Sequence, residues 1–370
     1  FGGRAMTYYG RWSYKFEIAA ELGAAGAFVI HETEPAGYPW EVISDSSAER
    51  FVLATSGDDG VLLAAEGWIH IDATRRVFEM AGMDFEEMKQ AATDRSFEPV
   101  GLGMTMSVAL QNSIRELESA NVVAKLQGQQ SPDELIIYTA HWDHMGIDPK
   151  LTGDNIFNGA HDNASGTAGL LEIAQAFARL DEAPARSVLF LAVTAEEQGL
   201  LGSRHYGRNP LYPPKNTVAV INMDGLNLLG PTRDITVVGM GQSELDGLAT
   251  RLASQQGRIL RPDPEPEKGS YYRSDHFEFA KVGIPAFYPD AGIEFINKPE
   301  GWGIEMREKY TREDYHKPSD EVKDYWDLSG AVEDLELFHL MGYELATGAE
   351  WPEWSEKSEF RLTREKQRSP

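Results

Sequence analysis

The chain has 370 residues, with 34 lysines and arginines against 59 aspartates and glutamates, and it contains no cysteine. The net charge of −25 repels phosphate backbones and anionic lipid, so we do not expect nucleic acid as a partner. Apolar runs such as Val188–Val193 are much shorter than the ~20 residues of a bilayer-spanning helix, so no membrane span is predicted. Without cysteine, disulfides and thiol nucleophiles are excluded, and any metal must be held by His, Asp or Glu.

Short apolar segments separated by turns predict a smaller β-rich domain over residues 1–105. The spacing predicts a helix at Glu17–Leu22 and strands at Ala27–Ile30, Phe51–Thr55 and Val61–Leu63. The two histidines of this region, His31 and His70, are isolated from each other and from any acidic pair at metal-ligand spacing, which favours surface or core roles. No candidate ligand cluster falls in this part of the sequence.

Residues 106–350 alternate strands and helices, which is typical of a parallel sheet covered by helices. The predicted strands are Asn121–Leu126, Leu135–Ala140, Val188–Val193, Thr217–Ile221 and Ile284–Tyr288. The predicted helices are Ser165–Leu180, Ser243–Gln256 and Leu328–Leu345. We therefore predict an α/β fold with a mostly parallel central sheet flanked by helices. Residues 351–370 are expected to form a charged C-terminal tail that frays.

Polar side chains follow the predicted strands at the points where they end. His141 follows the first long apolar strand, Glu196 and Glu197 follow the second, and Asp224 follows the third. Ligands of parallel sheets bind outside the carboxyl ends of the strands, so these side chains are expected at one edge. Two further loops, which carry Asp162 and His316, are expected at the same edge. Each of these residues is a weak indication by itself. Because all of them are expected at one edge of the sheet, together they predict a functional site.

The predicted site meets the ligand count of two divalent metals about 3.5–4 Å apart, which need one shared ligand and two terminal ligands each. The five candidates are His141, Asp162, Glu197, Asp224 and His316. Imidazole and carboxylate ligands suit two Zn²⁺, although Co²⁺ or Mn²⁺ can substitute. Three carboxylates leave one positive charge on two Zn²⁺, which a bridging hydroxide would neutralise.

Adjacent Glu196 and Glu197 are expected to serve different partners, because successive side chains of an extended backbone point in opposite directions. One of them then ligates metal while its neighbour faces water and substrate as a general base. By the same parity Asp143 lies on the side of His141, where its carboxylate is expected to accept a hydrogen bond from the imidazole. The sequence contains no His-Glu-x-x-His, Gly-x-Ser-x-Gly or phosphate-loop motif, which excludes those hydrolase and nucleotide-binding classes.

These residues resemble the two-zinc aminopeptidase family, which includes bacterial leucyl aminopeptidases and has transferrin receptor and glutaminyl cyclases as relatives. The segments that carry the resemblance are Ala140–His144, Gly159–Gly166, Thr194–Glu197, Asn222–Asp224, Ser274–His276 and Tyr315–Asp320. The resemblance extends from about Ser119 to Gly348.

The resemblance implies a role for each matching residue. Asp162 would bridge the two metals, His141 and Asp224 would hold one metal, and Glu197 and His316 would hold the other. Glu196 would then shuttle the proton, and Tyr315 would donate a hydrogen bond to the tetrahedral oxyanion. His161 departs from the acidic or small residue expected beside the bridging aspartate, and Asp275 and His276 are expected to be structural or to support the ligands.

The N-terminal region resembles the later part of a protease-associated domain at Gly10–Trp12, Tyr14–Lys15 and Glu21–Ala27. Such a domain would begin further upstream, so an upstream segment and leader are expected to precede Phe1. Family members of this architecture are usually exported, which implies a periplasmic or secreted protein.

Together these observations predict a co-catalytic dizinc exopeptidase that hydrolyses the N-terminal bond of peptide substrates. A metal-bridging hydroxide would be the nucleophile and Glu196 the general acid and base. Three alternatives stay open: a carboxypeptidase of the same fold, a metal-poor receptor-like relative, and glutaminyl cyclase-like acyl transfer at one zinc. The preferred side chain of the substrate and the oligomeric state are left open.

Overall fold

The structure is a computed structural model that describes residues 4–36, 39–44, 50–54 and 63–369. The chain divides into two compact units, Phe1–Leu117 and Glu118–Pro370. The sequence places its first domain boundary at residue 105, and the division by contacts lies between Leu117 and Glu118.

The N-terminal unit is built around two parallel strands with helices before, between and after them. Its described residues hold more helix than strand, so the predicted β-rich character is wrong. Its elements are α1 (Trp12–Glu21), β1 (Gly26–His31), α2 (Thr33–Ala36), α3 (Glu41–Ser44), β2 (Ala65–His70), α4 (Ile71–Met80) and α5 (Phe85–Ala91). Strands β1 and β2 pair in parallel from Gly26 opposite Ala65 to His31 opposite His70. The predicted helix overlaps the second half of α1, and the predicted first strand lies within β1. Residues 51–54 form no strand, while Thr55 and residues 61–62 lie outside the described residues.

Both histidines of the N-terminal unit have structural roles. His31 is buried, and its ring contacts those of Trp40 and Trp68. His70 precedes α4, where its Nδ1 accepts a hydrogen bond from the backbone N–H of Asp72 at 3.2 Å. A side-chain acceptor at this position satisfies one of the free N–H groups at a helix N-terminus.

The C-terminal unit contains a five-stranded sheet, a three-stranded sheet, a two-stranded sheet and seven α-helices among its described residues. The strands are β3 (Val122–Leu126), β4 (Ser131–His141), β5 (Gly146–Ile147), β6 (Ile156–Phe157), β7 (Arg186–Val193), β8 (Thr217–Asn222), β9 (Asp234–Val237), β10 (Ile259–Pro262), β11 (Ala286–Phe287) and β12 (Pro289–Asp290). The helices are α6 (Gly166–Ala178), α7 (Leu201–Arg208), α8 (Leu245–Gln255), α9 (His276–Lys281), α10 (Trp302–Glu313), α11 (Ser329–Thr347) and α12 (Arg361–Arg368).

The five-stranded sheet has the order β11-β8-β4-β7-β3. Strands β11, β8, β4 and β7 are mutually parallel, and β3 pairs antiparallel with β7 at the edge. The predicted fold class, a mostly parallel sheet flanked by helices, is confirmed. Each of the five predicted strands of this region overlaps an observed strand, and the predicted helices overlap α6, α8 and α11.

The sheet is covered on both faces, which explains the continuous apolar runs of its central strands. Residues 135–140 of β4 are all buried, and alternate side chains join two different cores. Ile136 and Tyr138 pack in one core with α6 and α11, while Ile137 packs in the other with β7, β8 and α9. Among the described helices, none combines the length and the hydropathy needed to cross a bilayer.

The C-terminal tail differs from the expectation of a frayed end. Trp354 and Phe360 are buried, and Arg364 on α12 is 1% exposed. The Arg364 guanidinium donates hydrogen bonds to the carbonyl oxygens of Pro214 and Thr217. High charge predicts a solvated tail, but two aromatic side chains and one arginine bound to backbone carbonyls hold this segment on the unit.

Candidate metal centre

Three neighbouring parallel strands deliver the first candidate ligands to one edge of the sheet. His141 is the last residue of β4, which lies between β7 and β8. Asp224 follows the end of β8 by two residues, and Glu197 follows the end of β7 by four. The carboxyl ends of these strands therefore place an imidazole between two carboxylates.

Asp162 lies in the irregular turn Ala160–Ser165, immediately before α6, and Asp320 holds this turn from outside. The Asp320 carboxylate accepts hydrogen bonds from the backbone N–H groups of His161 at 3.0 Å and Asp162 at 3.1 Å. Asn163 anchors the other side, because its amide donates to the Met223 carbonyl and accepts from the N–H of Gly225. These contacts fix the Asp162 backbone and direct its carboxylate toward the strand ends.

We define the first metal group as His141, Asp162 and Asp224. His141 Nε2 lies 3.2 Å from Asp162 Oδ1 and 3.2 Å from Asp224 Oδ1. The His141 side chain is 1% exposed. The Ser274 hydroxyl donates to Asp224 Oδ2, which leaves Oδ1 directed at His141. One nitrogen and one oxygen from each carboxylate thus converge in a buried space.

We define the second metal group as His144, Glu197 and His316, facing the other oxygen of Asp162. His316 Nε2 lies 3.3 Å from Asp162 Oδ2 and 3.1 Å from Glu197 Oε2. His144 Nδ1 lies 2.7 Å from Glu197 Oε1. The structure therefore brings all five predicted ligands together, and it adds His144, for which the sequence predicted no role.

The donor set fits zinc. Carboxylate oxygens lie 3.1–3.3 Å from the Nε2 atoms of His141 and His316, a contact that is favourable only with a proton or another positive charge between the oxygen and the nitrogen lone pair. Protons supply that charge when metal is absent: burial lowers the pKa of His316, but Asp162 and Glu197 outweigh it and raise the pKa to about 9. A bound cation would replace those protons, and buried imidazoles with carboxylates are ligands that zinc accepts.

Glu196 and Glu197 diverge, as the sequence predicted. The Glu197 carboxylate contacts the two histidines of the second metal group. Glu196 instead lines the cavity beside the centre. Burial raises the pKa of Glu196 well above its usual value; the charge of His141 opposes this shift, and Asp224 reinforces it. Ala195, which precedes the pair, has a φ of 54°, a conformation that recurs at functional sites.

Asp143 supports the centre through a different contact from the one expected. His141 Nδ1 lies 3.0 Å from the backbone carbonyl oxygen of Asp143, whereas the Asp143 carboxylate is 3.8 Å away. The carboxylate instead accepts hydrogen bonds from the N–H groups of Glu196 at 3.0 Å and Glu197 at 3.4 Å. Asp143 therefore orients the turn that carries both glutamates, and its carbonyl orients the imidazole.

A cavity of about 540 Å³ opens beside Asp162, Glu196 and Asp224. Its wall includes Tyr288, Phe295, Tyr310 and Trp326, so it combines aromatic surface with a few polar groups, as ligand sites do. Tyr315 also lines it, and its ring stacks on His316 with centroids 3.8 Å apart. Burial raises the pKa of the Tyr315 phenol, although Arg273 opposes the shift. The phenol therefore keeps its proton and can donate it in a hydrogen bond.

The remaining residues of the quoted segments support the site from outside. His161 Nε2 lies 3.1 Å from the Leu226 carbonyl oxygen, and its ring packs on Tyr310. Asp275 is buried and accepts a hydrogen bond from Ser203 at 2.6 Å, and burial raises its pKa to about 7. Burial lowers the pKa of His276 to about 3, which keeps this imidazole neutral among aromatic rings.

The roles of two contributors were not predicted from the sequence. His144 lies three residues after His141 in the segment Ala140–His144, which does not distinguish it as a separate contributor. Asp320 closes the segment Tyr315–Asp320, and its role as an acceptor for the Asp162 turn follows only from a contact across 158 residues. No periodicity in the sequence announces such a contact.

The fold and the site together define a metallohydrolase: a mostly parallel α/β sheet whose strand ends gather imidazoles and carboxylates beside a cavity. Residues 121–337, more than half of the chain, match peptidase family M28. The chain therefore belongs to peptidase family M28, which confirms the expected class, a zinc metallopeptidase. The match does not include residues 1–120, so the protease-associated domain stays a prediction.

The chain is similar to curated proteins that are considerably longer than the matched part. It is 32% identical over 155 residues to a probable zinc metalloprotease of Pyricularia oryzae, which covers 41% of this chain and 30% of that protein. It is 35% identical over 139 residues to aminopeptidase NAALADL1 of Mus musculus, which covers 35% of this chain and 17% of that protein. The matches thus span less than a third of these relatives.

Solved structures with a similar fold include two bacterial aminopeptidases. The zinc aminopeptidase BSAP of Bacillus subtilis is 23% identical with a TM-score of 0.46, over 65% of this chain and 52% of that chain. An aminopeptidase of Aneurinibacillus sp. strain AM-1 is 20% identical with a TM-score of 0.49, over 92% of this chain and 68% of that chain.

Proposed function

We propose that this chain is a co-catalytic dizinc aminopeptidase. The observation that carries the proposal is the position of the Asp162 carboxylate, whose two oxygens face different imidazoles. Oδ1 lies 3.2 Å from His141 Nε2, and Oδ2 lies 3.3 Å from His316 Nε2. A carboxylate shared in this way is the bridging ligand that a two-metal site needs. His141 and Asp224 would complete the ligand set of one metal, and Glu197 and His316 would complete that of the other.

Two zinc ions bound there would polarise the scissile carbonyl and lower the pKa of a water molecule to about 7. Glu196 lines the cavity and has no metal-facing histidine partner of the kind that Glu197 has, so its carboxylate is free to move protons. It accepts a proton from the attacking water and returns it to the leaving amine nitrogen as the peptide C–N bond breaks. The raised pKa strengthens Glu196 as a base.

Tyr315 and Asp143 would assist without moving the proton themselves. The protonated Tyr315 phenol, held by stacking on His316, is a donor for the oxygen that becomes negative in the transition state. Asp143 holds the backbone of Glu196 through its N–H, which keeps the carboxylate of the general base at the cavity wall.

The preference for a substrate with a free amino group is supported by the name of a relative. The mouse relative with 35% identity is named an aminopeptidase, in agreement with this preference.

The direct test is a panel of aminoacyl anilides, each paired with its N-acetylated counterpart. We expect zinc-dependent hydrolysis of the free-amine substrates and its loss on acetylation. Equal rates for the two members of each pair would contradict the aminopeptidase assignment. Metal analysis of the same preparation distinguishes the remaining alternatives. A chain without bound zinc would favour the metal-poor receptor-like relative, one zinc per chain would favour acyl transfer at a single zinc, and two would favour the dizinc site.

A carboxypeptidase is the second candidate, favoured by Arg273. This exposed side chain lines the cavity near Tyr315, and no ion pair engages its guanidinium among the described residues. A guanidinium can bind the terminal carboxylate of a peptide in bidentate fashion. N-blocked peptides with free C-termini, compared with their C-terminal amides, would reveal this activity as cleavage that amidation abolishes.

We also propose that the protein acts outside the cytoplasm, in the periplasm or the medium. The support is its resemblance to exported peptidases at both the catalytic segments and the N-terminal region. Fractionation of the native cells, with immunodetection of the protein in each fraction, tests this location. Recovery in the cytoplasmic fraction alone would contradict it.

A further inference from the structure

We propose that His144 is a positioning residue for Glu197: it holds one carboxylate oxygen so that the other stays directed at His316 and the second metal. This inference rests on the proposed dizinc function. It adds a sixth side chain, one that makes no contact with substrate, to the five expected ligands.

The contacts of Glu197 divide its two oxygens between two histidines. Oε1 lies 2.7 Å from His144 Nδ1, and Oε2 lies 3.1 Å from His316 Nε2. The contact with His144 is the shorter one, although its angles are not those of a hydrogen bond. Because a carboxylate group is planar, fixing Oε1 also fixes the direction of Oε2.

Burial makes this contact more important than a surface ion pair. The side chains of His144 and Glu197 are 7% and 4% exposed, whereas His316 is 33% exposed. Water therefore cannot readily replace His144 beside Oε1, and loss of the imidazole would remove the contact that restricts the rotation of this buried carboxylate. Neither His144 nor Glu197 lines the cavity, so their contact lies outside it.

The turn before Asp162 is shaped to accommodate this imidazole. Gly159 has a φ of 59°, and a Cβ at this position would lie 2.6 Å from His144 Cγ and 2.4 Å from the Asp162 carbonyl oxygen. Only glycine permits both the backbone conformation and the close approach of the ring. The loop that carries the bridging aspartate thus packs directly on the residue that positions Glu197.

The test compares three variants of the full chain by calorimetric titration of the metal-depleted protein with zinc. His144→Leu removes the ring nitrogen, while His144→Asn places an amide N–H near the position of Nδ1. His339→Leu is the matched control, because His339 packs on Phe177 away from the centre. Support of this kind contributes roughly 10–100-fold in metal affinity. We expect His144→Leu to weaken the second zinc by about that factor and to leave the first unchanged.

Each outcome has a distinct meaning. Recovery of most of the affinity in His144→Asn, with no change in His339→Leu, supports positioning through Nδ1. An unchanged second affinity in His144→Leu overturns the inference, and so does equal weakening of both zincs, because that result would show a general role in folding. If the unsubstituted chain binds only one zinc, the proposed dizinc function fails instead. Retention of the second zinc in His316→Ala would show that His144 is itself the ligand, which also overturns the positioning role.

Discussion

The two metal groups use the same kinds of side chain but are held differently. In the first, His141 comes from a central strand and is 1% exposed, and Asp224 is fixed by Ser274. In the second, His316 comes from the segment between α10 and α11 and is 33% exposed. Its φ of 55° is in the left-handed region, which a residue with a Cβ adopts only when its surroundings impose it.

This difference indicates that the two metal groups are held in place by different parts of the structure. The first group is preorganised by the sheet, so little order is lost when a metal enters. The second group depends on a segment outside the sheet, and its rigid part is Glu197 at the end of β7, supported by His144. The half of the centre nearer solvent therefore relies on contacts between side chains, whereas the buried half relies on the fold.

The largest expected effects distinguish Glu197, a ligand of the second metal group, from Glu196, the neighbouring general base. Glu196→Gln keeps the size of the side chain but removes the base, so turnover should fall by ~10²–10⁴ while both zincs stay bound. Glu197→Gln should instead release the second zinc, because a neutral amide oxygen is a poorer ligand. Metal stoichiometry and turnover of both variants measure the two effects.

The same two variants can also show that the roles assigned to Glu196 and Glu197 are wrong. Loss of zinc from Glu196→Gln, with retention in Glu197→Gln, would exchange the roles of the two glutamates. Full activity of either variant would remove that residue from the mechanism.

A smaller effect compares the two groups directly. The exposed, loop-borne ligand should make the second zinc weaker than the first by on the order of tenfold, the lower end of what support around a metal contributes. Stepwise removal with a chelator, followed by metal analysis, should show one zinc leaving before the other. Ser274→Ala removes the hydrogen bond to Asp224 Oδ2, so the first group loses its support. The difference in affinity between the two zinc ions should therefore become smaller in this variant. Simultaneous loss of both ions from the unsubstituted chain would contradict the expected difference in affinity between the two groups.

Two members of the first group, His141 and Asp224, were predictable from the sequence because they lie at strand ends. Runs that are buried on both faces, such as Leu135–Ala140, are recognisable, and parallel strand ends necessarily share an edge. Asp224 and His141 could therefore be placed together without knowledge of the loops. Glu197 follows from the same argument.

The supporting contacts were not predictable, because they join residues distant in sequence or depend on one atom. Asp320 reaches the Asp162 turn across 158 residues, and Asp143 uses its carboxylate for backbone N–H groups instead of for His141. His144 gave no signal of its own beside His141. The C-terminal segment was misjudged for a related reason, since charge composition does not reveal that Arg364 binds buried backbone carbonyls.

The smallest expected effect concerns pH, and it arises from the second group. In the metal-free chain, burial lowers the pKa of His316, but Asp162 and Glu197 raise it from 6.5 to about 9. A folded pKa above the unfolded one means that the proton stabilises the fold fully below about pH 6.5 and that this stabilisation is lost as pH rises toward 9. His141 is shifted in the same direction. Zinc replaces these protons, so the zinc-bound chain does not lose that stabilisation.

The difference in Tm between zinc-bound and zinc-depleted chain should therefore grow between pH 6.5 and pH 9. A growth of a few degrees is expected, because ~1 kcal/mol shifts Tm by about 2–4 °C in domains of 150–250 residues. Calorimetry at pH 6, 7.5 and 9 measures it. His316→Gln removes one of the two imidazoles whose pKa is raised, so it should show a flatter dependence. A difference that stays constant or shrinks as pH rises would mean that carboxylates do not hold the His316 proton, and the comparison of the two groups would lose its electrostatic basis.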